Sequence, residues 1–318
     1  MDSNNSLKKC VFKNKQFSEI LSDEGYVLVG NIGSELVLKI SAIYEKHHKF
    51  LEKPTGVFHT LFSTDLLYRN SLNNDLRDLL KPTYGKLFIN FKYTAVLIVA
   101  KFFGQNSAFG IHQDNTILNE IIYTPLTVWI PLQDTSLENG CLCVVPKSQK
   151  FAFPYRGISF KGQFQDIENE IKPYLLPIFM KAGDILIFDN RMFHYSPPNT
   201  LNKPRVVAMN HIFHEDADIL TCFKKDELSP IEIYKQTEDY LLTYKDFKNV
   251  PTFADSGIKI NELYVNPPIS NKEDFLLLAE QHNLEIYNAF YTPIKNQLFV
   301  QKQPFLSTLF DKITKFLK

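Results

Sequence analysis

The stretch Gly183-Asp184-Ile185-Leu186-Ile187-Phe188-Asp189-Asn190-Arg191-Met192-Phe193-His194 decides how this chain reads. Ala182-Gly183-Asp184 is a turn signal, and Asp184–Phe188 is a short apolar run. A run of that length bounded by turn residues predicts a buried strand. A short connection then delivers His194. A metal ligand on a facing strand would have this setting, and so would a histidine satisfied inside the core.

The same texture extends outward. Thr94–Phe103, Leu126–Pro131 and Cys141–Pro146 upstream, and Arg205–Phe213 downstream, are rich in Val, Ile, Thr and aromatic residues. Turn residues such as Asn139-Gly140 separate them. Several short strands with such breaks predict a sandwich or barrel. Tyr26–Val29 reads as a further strand. Helices are expected at Phe17–Leu21, at Ser34–Leu51 with a charged end at Glu45–Lys49, and near Asn74–Leu80 before Pro82. After Glu215 the strand signal fades, and Pro230–Tyr244 and Glu273–Asn283 read as helical. Ser159–Tyr174 is polar without a period, as a lid or substrate loop would be. Phe305–Lys318 carries an apolar stripe bordered by lysines; packing on the core or a partner, a frayed tail and a membrane-surface helix all fit it. No linker interrupts the chain. The expectation is one domain over 1–318: a strand core at about 93–214, N-terminal helical support over 1–92 and a C-terminal helical extension over 215–318.

The 318 residues carry 35 Lys+Arg and 35 Asp+Glu, a zero balance that argues against a nucleic-acid partner. The longest apolar runs, such as Ala95–Ala100, fall far short of the roughly 20 residues of a membrane span. The four cysteines show no C-x-x-C spacing, and Cys141 and Cys143 share one strand face as small buried residues. The polar start of the chain shows no signal peptide. A reducing, cytoplasmic location is expected.

In an extended segment His112 and Asp114 of His112-Gln113-Asp114 point the same way. An imidazole and a carboxylate are two-thirds of the 2-His-1-carboxylate triad that holds iron(II); a surface histidine beside an Asx turn has the same spelling. His194 is the candidate third ligand, and Ser196 shares its face. Arg205 opens a strand, where burial is costly unless an anion meets its planar fork; a rim ion pair is the alternative. His211 and His214, three apart, fall on opposite strand faces, which suits a structural role better than a second metal site. His47 and His48 read as solvated. Tyr123, Tyr155, Arg156, Asn190 and Arg191 are candidate substrate contacts.

Together these residues resemble the phytanoyl-CoA dioxygenase family of iron(II)/2-oxoglutarate oxygenases. The resemblance rests on His112-x-Asp114, on His194-Tyr195-Ser196-Pro197-Pro198-Asn199 followed by Arg205, and on Trp129-Ile130-Pro131-Leu132-Gln133-Asp134 with Glu138-Asn139-Gly140-Cys141-Leu142 and Val145-Pro146-Lys147-Ser148. Glu24-Gly25-Tyr26-Val27-Leu28-Val29 is similar to the family's opening strand, so the likeness spans about Gly25–His214. It implies a mainly β fold with flanking helices, the double-stranded β-helix or cupin-like jelly-roll barrel. It implies iron(II), 2-oxoglutarate and O2 as cofactor and co-substrates. His112, Asp114 and His194 match the iron ligands, and Arg205 and Ser196 match the groups that hold the distal carboxylate of 2-oxoglutarate. Trp129 matches a tryptophan beside the co-substrate, and Phe109 an aromatic wall. Pro146-Lys147-Ser148-Gln149 departs from the usual P-G-S-H turn, and Lys101 is only a candidate for a further co-substrate contact, a solvated edge lysine being the favoured reading. The implied activity is a dioxygenase that hydroxylates a small molecule with release of succinate and CO2. Asp114 argues against halogenation, which needs a small residue there. Desaturation, cyclisation or epimerisation on the same iron centre, and a non-catalytic binding module, are the alternatives. An amino-acid-like compound or a natural-product intermediate, free or carrier-bound, is the expected partner.

Overall fold

Asn14 starts the first helix by accepting the backbone N–H of Gln16 (2.9 Å), and Gly25 ends it at φ 86°. A side chain at Gly25 would collide with the Gln149 carboxamide and the Met192 sulfur. Asp65 caps the longest helix through the N–H of Tyr68 (3.0 Å). The computed structural model describes residues 9, 11–48, 55–244, 257–265 and 271–290. The Phe305–Lys318 stripe lies outside them.

In chain order the regular elements are α1 (Lys15–Glu24), β1 (Tyr26–Asn31), α2 (Ser34–His48), β2 (Val57–His59), α3 (Leu66–Leu87), β3 (Phe91–Tyr93), β4 (Leu97–Lys101), β5 (Phe109–His112), β6 (Leu126–Pro131) and β7 (Cys143–Val144). Then come α4 (Glu168–Ile171), β8 (Leu176–Pro177), β9 (Asp184–Asp189), β10 (His194–Ser196), β11 (Arg205–His214), β12 (Ile219–Phe223), β13 (Ile231–Gln236), α5 (Tyr240–Thr243), β14 (Ile258–Leu263) and α6 (Lys272–Gln281).

A seven-stranded sheet runs β1-β9-β6-β11-β4-β2, with β3 also paired to the long β11, and a four-stranded sheet runs β5-β10-β7-β8. All pairings are antiparallel. From β4 to β11 the chain keeps crossing between the two sheets, so the inner order β9-β6-β11-β4 faces β5-β10-β7-β8. This is the jelly-roll order of a double-stranded β-helix. Strands β1 to β11 form two sheets rather than one closed barrel.

Period-2 alternation sorts the seven-stranded sheet into two faces. Val128, Ile130, Ile185, Ile187, Val206, Ala208, Ile98 and Ala100 pack on one side against Ile40 and Tyr44 of α2 and Leu72, Leu76, Leu80 and Tyr84 of α3. Trp129, Leu186, Phe188 and Val207 face the other way and meet Leu142 and Val144 of the second sheet. Arg205, Lys101, Thr127 and His211 have this inward parity too. The outer face of the second sheet, with Cys141, Cys143, Ile111 and Phe193, is covered by Phe275 and Ala279 of α6 and by Phe164, Ile171 and Tyr174. The polar 159–174 segment is thus anchored over that outer face.

Several expectations change. The Pro230–Tyr244 region opens on strand β13 and is helical only at α5 (Tyr240–Thr243); β12, β13 and β14 form a third antiparallel sheet, so the 215–318 part is not simply helical. Ile231 and Ile233 are buried at a spacing of two, which a strand explains and a helix does not. Helix α3 runs through Pro82 to Leu87, because the buried Leu76-Leu80-Tyr84-Leu87 stripe continues while Pro82 faces solvent. Lys147 takes φ 70°, so the turn keeps a glycine-like backbone despite its side chain. His47 bonds Asp75 (2.9 Å) and His48 stacks on Phe102, so the pair is packed rather than solvated. No described helix is long and apolar enough to cross a membrane.

Candidate metal centre

His112 ends β5 and His194 begins β10, and the two residues are direct partners across that antiparallel pair. Their rings lie 4.1 Å apart. His112 Nδ1 is 2.8 Å from the Gly110 carbonyl and His194 Nδ1 is 3.0 Å from the Met192 carbonyl. A carbonyl only accepts, so each Nδ1 carries the proton and each Nε2 keeps a bare lone pair. Asp114 Oδ1 stands 3.6 Å from His194 Nε2 and 4.0 Å from His112 Nε2. One ligand atom from each of these three residues lies within 4.8 Å of the others. Among the described residues they are the group that can hold a metal ion.

Electrostatics suit that use. Burial, with His194 alongside, pushes His112 down to about 3, so its imidazole is neutral at pH 7. Burial alone would raise the Asp114 carboxyl, but His194, His211, His112 and the Thr127 hydroxyl hold it below the usual carboxylate range. Two imidazoles and one carboxylate are the donor set of a non-haem iron(II) site.

The supports come from four segments. Thr127 Oγ1 lies 3.2 Å from Asp114 Oδ2, 2.6 Å from Asn190 Oδ1 and 3.1 Å from His211 Nδ1. The Asp114 N–H donates to the Asn190 carbonyl (3.0 Å), and Arg156 Nε donates to the Asp114 carbonyl (2.7 Å). With Oδ2 turned toward Thr127, Oδ1 is the oxygen that faces the two imidazoles.

At the other end of β11, Arg205 is 3% exposed, yet its Nε and Nη1 have no hydrogen-bond partner. Its guanidinium lies 5.3 Å from the Trp129 ring centroid. Burial pushes it down to about 10. An unpaired buried guanidinium is costly, and a carboxylate in its fork would remove that cost. Across the β4–β11 pair, Lys101 is its direct neighbour. Lys101 Nζ lies within hydrogen-bond reach of Ser196 Oγ (2.6 Å), Ser196 O (3.0 Å) and Pro197 O (2.7 Å). Ser196 accepts from Lys101, so its own hydroxyl proton remains available to an anion. A methyl at Gly140 (φ 77°) would strike both Pro197 O and the Lys101 stem, which is why glycine follows Asn139. Phe109, 43% exposed, forms an outer wall with its ring 4.6 Å from His112.

The structure therefore gathers His112, Asp114 and His194 at one point, and Arg205, Trp129 and Ser196 around Lys101. It does not deliver the expected substrate contacts. Arg156 is tied to Glu120 (2.7 and 2.8 Å) and Arg191 to Asp189 (2.8 Å). Tyr155 packs beside the third sheet and Tyr123 stacks on His214. His211 takes the structural role expected of it, as a support behind the ligands; motif reading does not show Thr127, or Asn190 in this role, and the one available signal is that Thr127 shares the Trp129 face.

A family model described as "Phytanoyl-CoA dioxygenase (PhyH)" matches residues 39–207, more than half of the sequence. The chain belongs to the phytanoyl-CoA dioxygenase family. Among relatives, this family member is 30% identical over 119 residues to phytanoyl-CoA dioxygenase domain-containing protein 1 homolog of Dictyostelium discoideum, covering 35% of this chain and 42% of that protein. It is 30% identical over 111 residues to phytanoyl-CoA dioxygenase of Arabidopsis thaliana, covering 33% of this chain and 38% of that one. The matches thus span less than half the length of either relative. A solved structure of the epimerase SnoN in complex with Fe3+, alpha ketoglutarate and nogalamycin RO is 16% identical, with a TM-score of 0.48 over 78% of this chain and 95% of that one.

Proposed function

We propose that this chain is an iron(II)/2-oxoglutarate-dependent dioxygenase that hydroxylates a small molecule, in one domain over 1–318. His112, Asp114 and His194 would hold the iron. Arg205, with Ser196 and Lys101, would hold the distal carboxylate of 2-oxoglutarate beside Trp129. One observation carries the reading: two tautomer-locked Nε2 atoms and Asp114 Oδ1 converge within a chain that also buries an unpartnered guanidinium. The bound iron with 2-oxoglutarate and O2 supplies oxidative decarboxylation to succinate and CO2, coupled to oxidation of a substrate C–H. The protein's part is to orient and to exclude water. Gly110 and Met192 carbonyls fix the imidazoles, Thr127 turns the carboxylate, and Phe109 covers His112. The three free, buried cysteines among the described residues fit a reducing, cytoplasmic setting.

The test is anaerobic titration of the protein with iron(II) and 2-oxoglutarate, followed through the visible metal-to-ligand charge-transfer band. The band is expected in the wild type, and its absence when metal binds overturns the co-substrate assignment.

Thr127→Val keeps the shape and removes the hydroxyl that holds Asp114 Oδ2. Iron(II) affinity is expected to fall about tenfold, the scale of losing a group that orients a ligand. Anaerobic calorimetry with iron(II) checks it, and unchanged affinity removes Thr127 from the account.

Lys101 gives a pH signature. Burial first, then the nearby Arg205 charge, pushes it down to about 6. A bound dianion favours the ammonium and raises that value. Below pH 6 the amine is already charged and binding exchanges no proton there; above pH 6 2-oxoglutarate binding takes a proton up. Calorimetry at pH 7.5 in buffers of different ionisation enthalpy should show that uptake in wild type and lose it in Lys101→Met.

A further inference from the structure

Two histidines face the site without being ligands of the metal or of the co-substrate in the proposed function. His59 on β2 is paired with Val99, and Val57 with Lys101, so His59 shares the inward face of Lys101 and Arg205. His211 on β11 is paired with the inward-facing Thr127. Both are only part-buried. His59 Nδ1 accepts the backbone N–H of Leu61 (3.2 Å), so the neutral ring carries its proton on Nε2. His211 Nδ1 is occupied by Thr127 Oγ1 (3.1 Å) and Asn190 Nδ2 (3.2 Å). Neither Nε2 has a partner among the described residues, and neither is sealed as a buried orphan. His211 shares Thr127 with Asp114 Oδ2, which places it at the metal end of the pocket, about 20 Å of strand from Arg205 six residues back along β11. His59, in the row of Val99 and Val207, stands one inward position from the Lys101–Arg205 row, and the Asp114 charge acts on both rings.

The charge available at this end is small. The two arginines that touch the Asp114 loop, Arg156 and Arg191, are bound by Glu120 and Asp189. Lys101, which donates to Ser196 and Pro197, is taken by the co-substrate carboxylate in the proposed function. Burial holds His59 at about 4, so charging it at pH 7 is opposed about a thousandfold. His211 is lowered by burial as well. A neutral imidazole N–H suits a neutral oxygen; an anion seeks a cation, and among the described residues those at hand are engaged, Arg205 by the co-substrate carboxylate in the proposed function.

We propose that His59 and His211 form the substrate-binding end of this site, reading an uncharged oxygen of the substrate, a hydroxyl or a ketone, ester or lactone carbonyl. Anionic substrates, coenzyme A thioesters among them, are disfavoured. The proposal rests on the oxygenase reading, and deepens it by naming the substrate class.

The experiment screens full-length protein loaded with iron(II) and 2-oxoglutarate for stimulated succinate release. Two size-matched compound sets are used: neutral alcohols, ketones and lactones, and carboxylates, phosphates and acyl-coenzyme A thioesters. Stimulation is expected from the neutral set. His59→Leu should then lower kcat/KM for the best neutral compound about tenfold, the scale of one lost neutral hydrogen bond, while the 2-oxoglutarate charge-transfer band persists. His59→Gln restores an amide donor at a similar reach and should recover to within about threefold. The proposal is overturned by a silent neutral set, by stimulation confined to the anionic set, or by a His59→Leu rate that does not change. If His59→Leu loses the band or the fold, the Gln variant decides: a rate as low as that of an inert side chain counts against a hydrogen-bonding role. A wild type without the band fails the oxygenase reading itself and is thereby told apart from failure of this proposal.

Discussion

Replacing His194 by alanine is expected to abolish the iron–2-oxoglutarate band and to lower substrate-driven succinate formation by at least about a thousandfold. His194 is one of only two imidazoles whose Nε2 faces Asp114 Oδ1, and its Nδ1 is already committed to the Met192 carbonyl. Alanine therefore removes a ligand that no nearby described group replaces. His211 is not a substitute, because its Nδ1 is bound to Thr127 and Asn190 behind the carboxylate. His112→Ala and Asp114→Ala should match the effect, since the three donors act as one set. Retention of the wild-type melting profile in the metal-free variants would show that the loss is one of ligation. Turnover close to wild type in any of the three breaks the assignment.

The parts of this site that lie close along the chain are legible, because period-2 parity is a local property. It puts His194 with Ser196 in β10, and His112 at the end of β5 with Asp114 just beyond it. The eight-strand jelly-roll order needed pairings between distant segments, which only the family resemblance supplied. Thr127 illustrates the limit. Nothing in Leu126-Thr127-Val128 tells that β6 will lie between β9 and β11, and so bring a hydroxyl to Asp114. Lys101 looked like an edge lysine because strand texture is silent on which end of β4 is covered; pairing with Arg205 buries it to 1% exposure. Arg156 and Arg191 were misjudged for the opposite reason. Both touch the Asp114 loop, but each meets a carboxylate of its own. The strand β13 was read as helix because Ile231-Glu232-Ile233-Tyr234-Lys235-Gln236 mixes apolar and charged residues as an amphipathic helix also does, and only its partners β12 and β14 settle the period.

Arg205→Met is the most selective test of the co-substrate pocket. The substitution keeps an unbranched side chain against Trp129 and removes the charge, so no buried cation is left unpaired. Loss of a buried, bidentate, charge-assisted pair costs on the order of 3 kcal/mol or more, equivalent to at least about a hundredfold in affinity. The KM for 2-oxoglutarate should rise by that factor while the KM for the stimulating substrate moves little. Stability should behave in the opposite sense. In the free protein Arg205 has two buried donors without partners, so the Met variant should melt at or above the wild-type temperature. Adding 2-oxoglutarate with metal should raise the melting temperature of the wild type, since a ligand that binds only the folded state stabilises it by mass action, and that rise should vanish in the variant. Arg205→Lys should not rescue, because a point charge cannot reproduce the planar fork. Parallel changes in both KM values, or a variant that melts well below wild type and still gains the full 2-oxoglutarate shift, would make Arg205 a structural residue and leave the distal carboxylate without its assigned partner.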